Sequence, residues 1–121
     1  MSEDLHLVFK AIRPLFGRYA EKCVVIEDKP SRYYLGTHEV REVDGYRTGF
    51  GGVEVKKNYV SVHLMPVYVH PELLETVSPN LRRRMQGKSC FNFKKSDAAL
   101  FGELSSLVEA SVRRFEEDGR L

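Results

Sequence analysis

Two side chains with opposite chemical talents, His63 and Cys90, are the first candidates for a reactive pair in this sequence. An imidazole beside a thiol takes its proton and frees the thiolate, the form of cysteine that attacks electrophiles. A working nucleophile also needs a third group to orient the base, and the sequence names none, so no residue is assigned a catalytic role. The second candidate is LRRRMQGKSCFNF, residues 81–93, which crowds three arginines, a lysine, Cys90 and two phenylalanines together. Such a stretch either grips an anion or nucleic acid, or is a helix end running into a buried strand. Metal chemistry finds no foothold. His6, His38, His63 and His70 lack ligand spacing, Cys23 and Cys90 form no CxxC pair, and the HExxH, GxSxG, P-loop and GxGxxG patterns are absent. No metal ligand or cofactor is assigned.

The elements that must position these groups follow from periodicity. Leu5, Val8, Phe9, Ile12, Leu15, Phe16 and Tyr19 fall on one helical face, with Ser2 or Asp4 as cap and Pro14 placing a kink or break. Residues 23–27 and 33–35 read as short strands around turn chemistry at 28–31. Residues 39–43 read as a further strand, turning at Asp44-Gly45 into a return strand whose Gly49, Gly51 and Gly52 signal a bulge or a close approach. Val53–Val55 and Tyr59–Met65 form the clearest strand pair, ended by Pro66. In the second of them Val60, Val62 and Leu64 face one way and Tyr59, Ser61, His63 and Met65 the other. Prolines 71 and 79 open two short helices, the second capped by Ser78. After a Ser96-Asp97 cap the last helix shows Leu100, Phe101, Leu104, Leu107, Val108, Ser111 and Phe115 on one face, and Gly119 ends it. The order is α+β: a two-layer domain in which an antiparallel sheet of about five or six strands is covered by the N- and C-terminal helices.

Within that frame the basic stretch divides. A helix over 79–86 puts Leu81 and Met85 on one face with Arg83 opposite, and Arg82 and Arg84 on its flanks; Gly87 suits the left-handed cap. In the strand that follows, Ser89, Phe91 and Phe93 share one face, with the phenylalanines entering the core, while Lys88, Cys90, Asn92 and Lys94 share the other. Aromatics alternating with basic residues resemble an RNA-stacking strand only superficially, because the recognition-motif sequence and element order are missing. If the strands at 59–65 and 89–94 share a sheet, Tyr59, Ser61, His63, Cys90 and Asn92 occupy its open face, with Arg84 and Lys88 at the rim and the glycine-rich segment as a flap. These seven residues are the expected ligand site, for a small anionic ligand or a peptide; a plain solvated sheet face is the alternative.

Composition narrows the field further. The chain's 121 residues suit a single domain, 1–121, with one core; 42% hydrophobic and 30% charged residues describe a globular protein rather than a disordered one. Nineteen basic against seventeen acidic residues give a net charge of +2, which disfavours a dedicated nucleic-acid binder. No apolar run approaches a membrane span and the first residues are acidic where a secretory signal is basic, so a cytoplasmic protein with reduced thiols is expected.

Several stretches together carry a family likeness: Arg32-Tyr33-Tyr34-Leu35, residues 57–68 (KNYVSVHLMPVY), Pro71-Glu72-Leu73-Leu74, Ser78-Pro79, and above all residues 84–93 (RMQGKSCFNF). In these the chain resembles the YdhG-like family of small proteins, long catalogued as a domain of unknown function. The resemblance runs from the first helix to the last and implies a compact α+β domain with an antiparallel sheet covered by helices. Some relatives are described as frataxin-like iron chaperones, which offer clustered carboxylates to iron. Here the first helix supplies only Glu3, Asp4 and Glu21 near its ends, a poor set for a hard cation. The family offers no catalytic residues to carry over. Three functions therefore compete: a non-enzymatic binding domain, an iron-binding chaperone, and a protein-interaction or dimerisation module.

Overall fold

The computed structural model describes residues 4–121. Helix α1 (Leu5–Gly17) is capped by Asp4, whose carboxylate accepts from the His6 amide at 2.9 Å; Ser2, the other expected cap, and Glu3 lie outside the described residues. Val8, Phe9, Ile12 and Phe16 are its buried stripe. Pro14 does not divide the helix, because the one bond it forgoes lies in the last turn and the apolar stripe holds both sides of it against the sheet.

Six strands follow: β1 (Val24–Lys29), β2 (Arg32–Val40), β3 (Arg47–Val55), β4 (Val60–Leu64), β5 (Met85–Gln86) and β6 (Cys90–Phe93). They form one antiparallel sheet in the order β1-β2-β3-β4-β6-β5. The separate strands expected at 33–35 and 39–43 are one strand, β2, which ends at Val40: Gly36 and Thr37 are buried within it, and the register against β3 shifts there without ending the strand. The turn at Asp44-Gly45 is present, with the Gly45 amide donating to the Arg41 carbonyl at 2.8 Å and Gly45 at φ 70°.

Between β4 and β6 the chain makes α2 (Met65–Val69), a single 3-10 turn over Pro71–Leu74, α3 (Pro79–Arg82) and β5. The helix expected over 79–86 stops at Arg82. Met85 and Gln86 pair instead with Phe91 and Cys90, so Gly87, at φ 76°, turns a hairpin rather than capping a helix. Helix α4 (Ala98–Glu117) closes the chain, capped by Asp97 and followed by Gly119 at φ 77°.

The helices α1 and α4 pack on one face of the sheet, joined to it by Phe50, which makes edge-to-face contacts with Phe16 at 6.3 Å and Phe115 at 6.2 Å between ring centroids. Val60, Val62, Leu64, Phe91 and Phe93 reach this core from β4 and β6. Strand alternation sends their neighbours to the opposite, uncovered face.

Candidate functional site

Strand register builds the uncovered face in rows. Tyr34, Gly52, His63 and Cys90 pair in succession across β2, β3, β4 and β6, and two residues along, Arg32, Glu54, Ser61 and Asn92 form the next row. Gly52 has no side chain, so the Tyr34 and His63 rings lean together over it and stack at 6.2 Å with planes 12° apart. A Cβ at Gly52 would stand 2.1 Å from the Tyr33 carbonyl oxygen, and one at Gly51 2.1 Å from that of His63. The glycine-rich segment is thus the middle of β3 and the floor of the face. It is not the flap expected over it, because both its edges are hydrogen-bonded into the ladder.

His63 stands at the centre of this face. Its Nδ1 lies 3.4 Å from Cys90 Sγ and 3.3 Å from Ser89 Oγ. Burial lowers its pKa below the ordinary value of 6.5, so the imidazole is neutral near pH 7. Burial also raises the Tyr34 phenol, against the opposing pull of the Arg32 guanidinium, which sits over the Tyr34 ring at 4.9 Å. Arg32, Tyr34, Glu54, Lys56, Ser61, His63 and Cys90 surround a shallow hollow of about 240 Å³. Its cations are already matched, Arg32 by Glu27 and Glu54, Lys56 by Glu54 at 3.0 Å.

The charge balance changes at the β5–β6 edge. The Asn92 amide donates to the Arg84 carbonyl at 2.7 Å, which fixes Arg84 beside the strand. Tyr59, Arg83, Arg84, Gln86, Asn92 and Lys94 line a hollow of about 210 Å³ that contains no carboxylate. Arg83, Arg84 and Lys94 also line the adjoining hollow of about 540 Å³, together with Lys95, Asp97 and Glu103. Both of these acids are engaged elsewhere: Glu103 accepts from the Ser78 amide and hydroxyl at 3.0 and 2.7 Å, and Asp97 from the Leu100 amide at 3.1 Å. The three arginines of the basic run differ in occupation. Arg82 donates to the Leu74 carbonyl at 2.8 Å and Arg83 to Asn80 Oδ1 at 2.7 Å, whereas Arg84, like Lys94 and Lys95, has no carboxylate partner among the described residues.

The seven residues singled out from the sequence thus fall into two neighbouring groups and one outlier. Ser61, His63 and Cys90 line the central hollow; Tyr59, Arg84 and Asn92 line the basic one; Lys88 extends over the Tyr68 ring at 5.9 Å and lines neither. Tyr34, Ser89, Arg83, Lys94 and Lys95 were missed. Strand parity already put Lys94 on the face of Asn92, so that signal was available. Ser89 shares the face of Phe91 and Phe93 by parity and is buried, yet its hydroxyl turns to His63, a local side-chain choice that parity does not encode.

Among the described residues no three His, Cys, Asp or Glu side chains are grouped so as to hold a metal ion, and no helix is long and apolar enough to cross a membrane. No family model, curated protein or solved structure matches the chain.

Proposed function

We propose that the chain is a YdhG-like, non-enzymatic binding domain that holds a small anion, free or carried on a peptide, at the β5–β6 edge of its sheet. One observation carries this reading: Arg84 and Lys94 converge with Tyr59 and Asn92 on a hollow without a carboxylate, while the acids next to it are engaged in helix caps. Unbalanced cations in a concave setting attract an anion and hold it by charge-assisted hydrogen bonds. Arg84 supplies the planar fork, Lys94 a mobile point charge, and the Asn92 carboxamide and Tyr59 hydroxyl the directional contacts. The iron-chaperone alternative has less support, since the carboxylates are dispersed in pairs with basic residues rather than gathered. The interaction-module alternative rests on exposed Val25 and Ile26 of the edge strand β1, which carry no charge complementarity of their own.

Thermal unfolding in inorganic phosphate, against chloride at equal ionic strength, tests the proposal. Saturable stabilisation is expected, reaching about 2.7 kcal/mol at a hundredfold excess over Kd. Joint Arg84→Ala and Lys94→Ala substitution should abolish it and leave the unliganded fold intact. Undiminished stabilisation in the double variant would refute the site. Lys88→Ala should change nothing.

A further inference from the structure

The central hollow has a chemistry of its own, separate from the basic edge. Cys90 Sγ, half-buried and lining the hollow, faces His63 Nδ1 at 3.4 Å, and the Tyr34 ring stacked on the imidazole at 6.2 Å fixes its plane. Ser89 Oγ at 3.3 Å from the same nitrogen is a hydroxyl, able to donate to the neutral ring and to accept from the protonated one. The Tyr34 stack is the orienting contact that a thiol and its base require and that the sequence alone did not name, whereas Ser89 shares Nδ1 with Cys90 and supports the ring by accepting from it once it is protonated. The molecule also contains an internal contrast: Cys23 is buried at 7% exposure, with no histidine hydrogen-bonded to its thiol among the described residues.

We propose that Cys90 is a nucleophilic thiol, held against its own base His63, that forms a mixed disulfide with low-molecular-weight disulfides reaching the open sheet face. In the step, Sγ attacks one sulfur of the incoming disulfide as Nδ1 accepts the thiol proton. The new S–S bond forms, the old one breaks, and the departing thiolate takes the proton back from the imidazolium. One thiol and one disulfide enter, and one mixed disulfide and one thiol leave, so no further oxidant is needed. Burial favours the neutral imidazole, which is the form that accepts a proton. The other charged or titratable groups at the hollow are Arg32 and Tyr34 from β2 and Glu54 and Lys56 from β3 and its following turn; Glu54 is matched by Lys56 and Arg32.

The test uses the whole chain and a chromogenic aromatic disulfide, with the adduct located by mass spectrometry. One thiol per native chain should react, and it should be Cys90. Its rate should change less than about threefold between roughly pH 6.5 and 8, where an unassisted thiol gains about tenfold per unit below its pKa. His63→Gln should restore that steep slope and slow the reaction near pH 7 by about tenfold or more. A steep slope in the unaltered protein, an adduct on Cys23, or an unslowed His63→Gln protein would overturn the proposal. The slope in the unaltered chain decides the matter even if the variant fails to fold.

Discussion

Cys23 and Cys90 place the same thiol in opposite surroundings. Cys23 ends the approach to β1 beneath the core, where burial and then the Glu116 carboxylate push its pKa up to about 11, against a smaller pull from Lys22. Cys90 lies on the sheet face that no helix covers, with an imidazole in contact. The difference is one of placement and covering rather than residue type. On β6 a single step along the chain separates Phe91, at 0% exposure, from Asn92 on the open face. One face of the sheet holds the fold together and the other leaves its polar side chains accessible.

The contrast is most exposed to failure at that single step. Phe91→Ala should lower the unfolding free energy by about 3–5 kcal/mol, whereas Asn92→Ala should stay within about 0.5 kcal/mol, both read from urea midpoints. Comparable losses at the two positions would dissolve the distinction between faces. Gly52→Ala comes next in size. Its Cβ would meet backbone rather than a movable side chain, so about 1–3 kcal/mol should be lost. The same change should separate the Tyr34 and His63 rings, visible as a shift of the His63 ring protons; an unperturbed spectrum would mean that the strand floor is not what brings them together.

Titration probes the two faces through smaller effects of opposite direction. The native state holds the Cys23 proton more tightly than the unfolded chain does, so the associated stability is complete below pH 9.0 and is lost as pH rises towards about 11. The native state holds a proton on His63 less tightly, so that contribution is complete above pH 6.5 and declines as pH falls below it. Urea midpoints followed across pH should therefore show a smaller alkaline decline in Cys23→Ala, the part due to the buried Tyr33 and Tyr34 phenols remaining, and the full decline in Cys90→Ala. The reverse assignment would contradict the burial of Cys23.

Much of this organisation can be read from residue order, and its omissions are physical. The alternation Val60-Ser61-Val62-His63-Leu64 and Phe91-Asn92-Phe93 has the period of a strand with one buried side, so the facing of His63 and Cys90 follows once the two strands are adjacent. Leu81 and Met85 mimic a helical repeat, but pairing of Met85 and Gln86 with β6 ends the helix at Arg82, and no local pattern reports a partner that arrives later in the chain. That ending aims Arg84 at Lys94 and Asn92. Gly49, Gly51 and Gly52 correctly signal close approach, although whether glycine makes a floor or a flap depends on pairing along both strand edges. The engagement of Glu103 with Ser78, which leaves the basic hollow unbalanced, spans 25 residues and leaves no periodic trace.

A titration of the backbone amide resonances with inorganic phosphate tests most directly whether the uncovered edge of the sheet is a binding surface. Shifts that saturate and cluster at Tyr59, Arg83, Arg84, Asn92 and Lys94, with the helix-covered side silent, are the predicted result. Shifts spread evenly over the molecule, centred on Lys88 and Tyr68, or absent at saturating phosphate would contradict it.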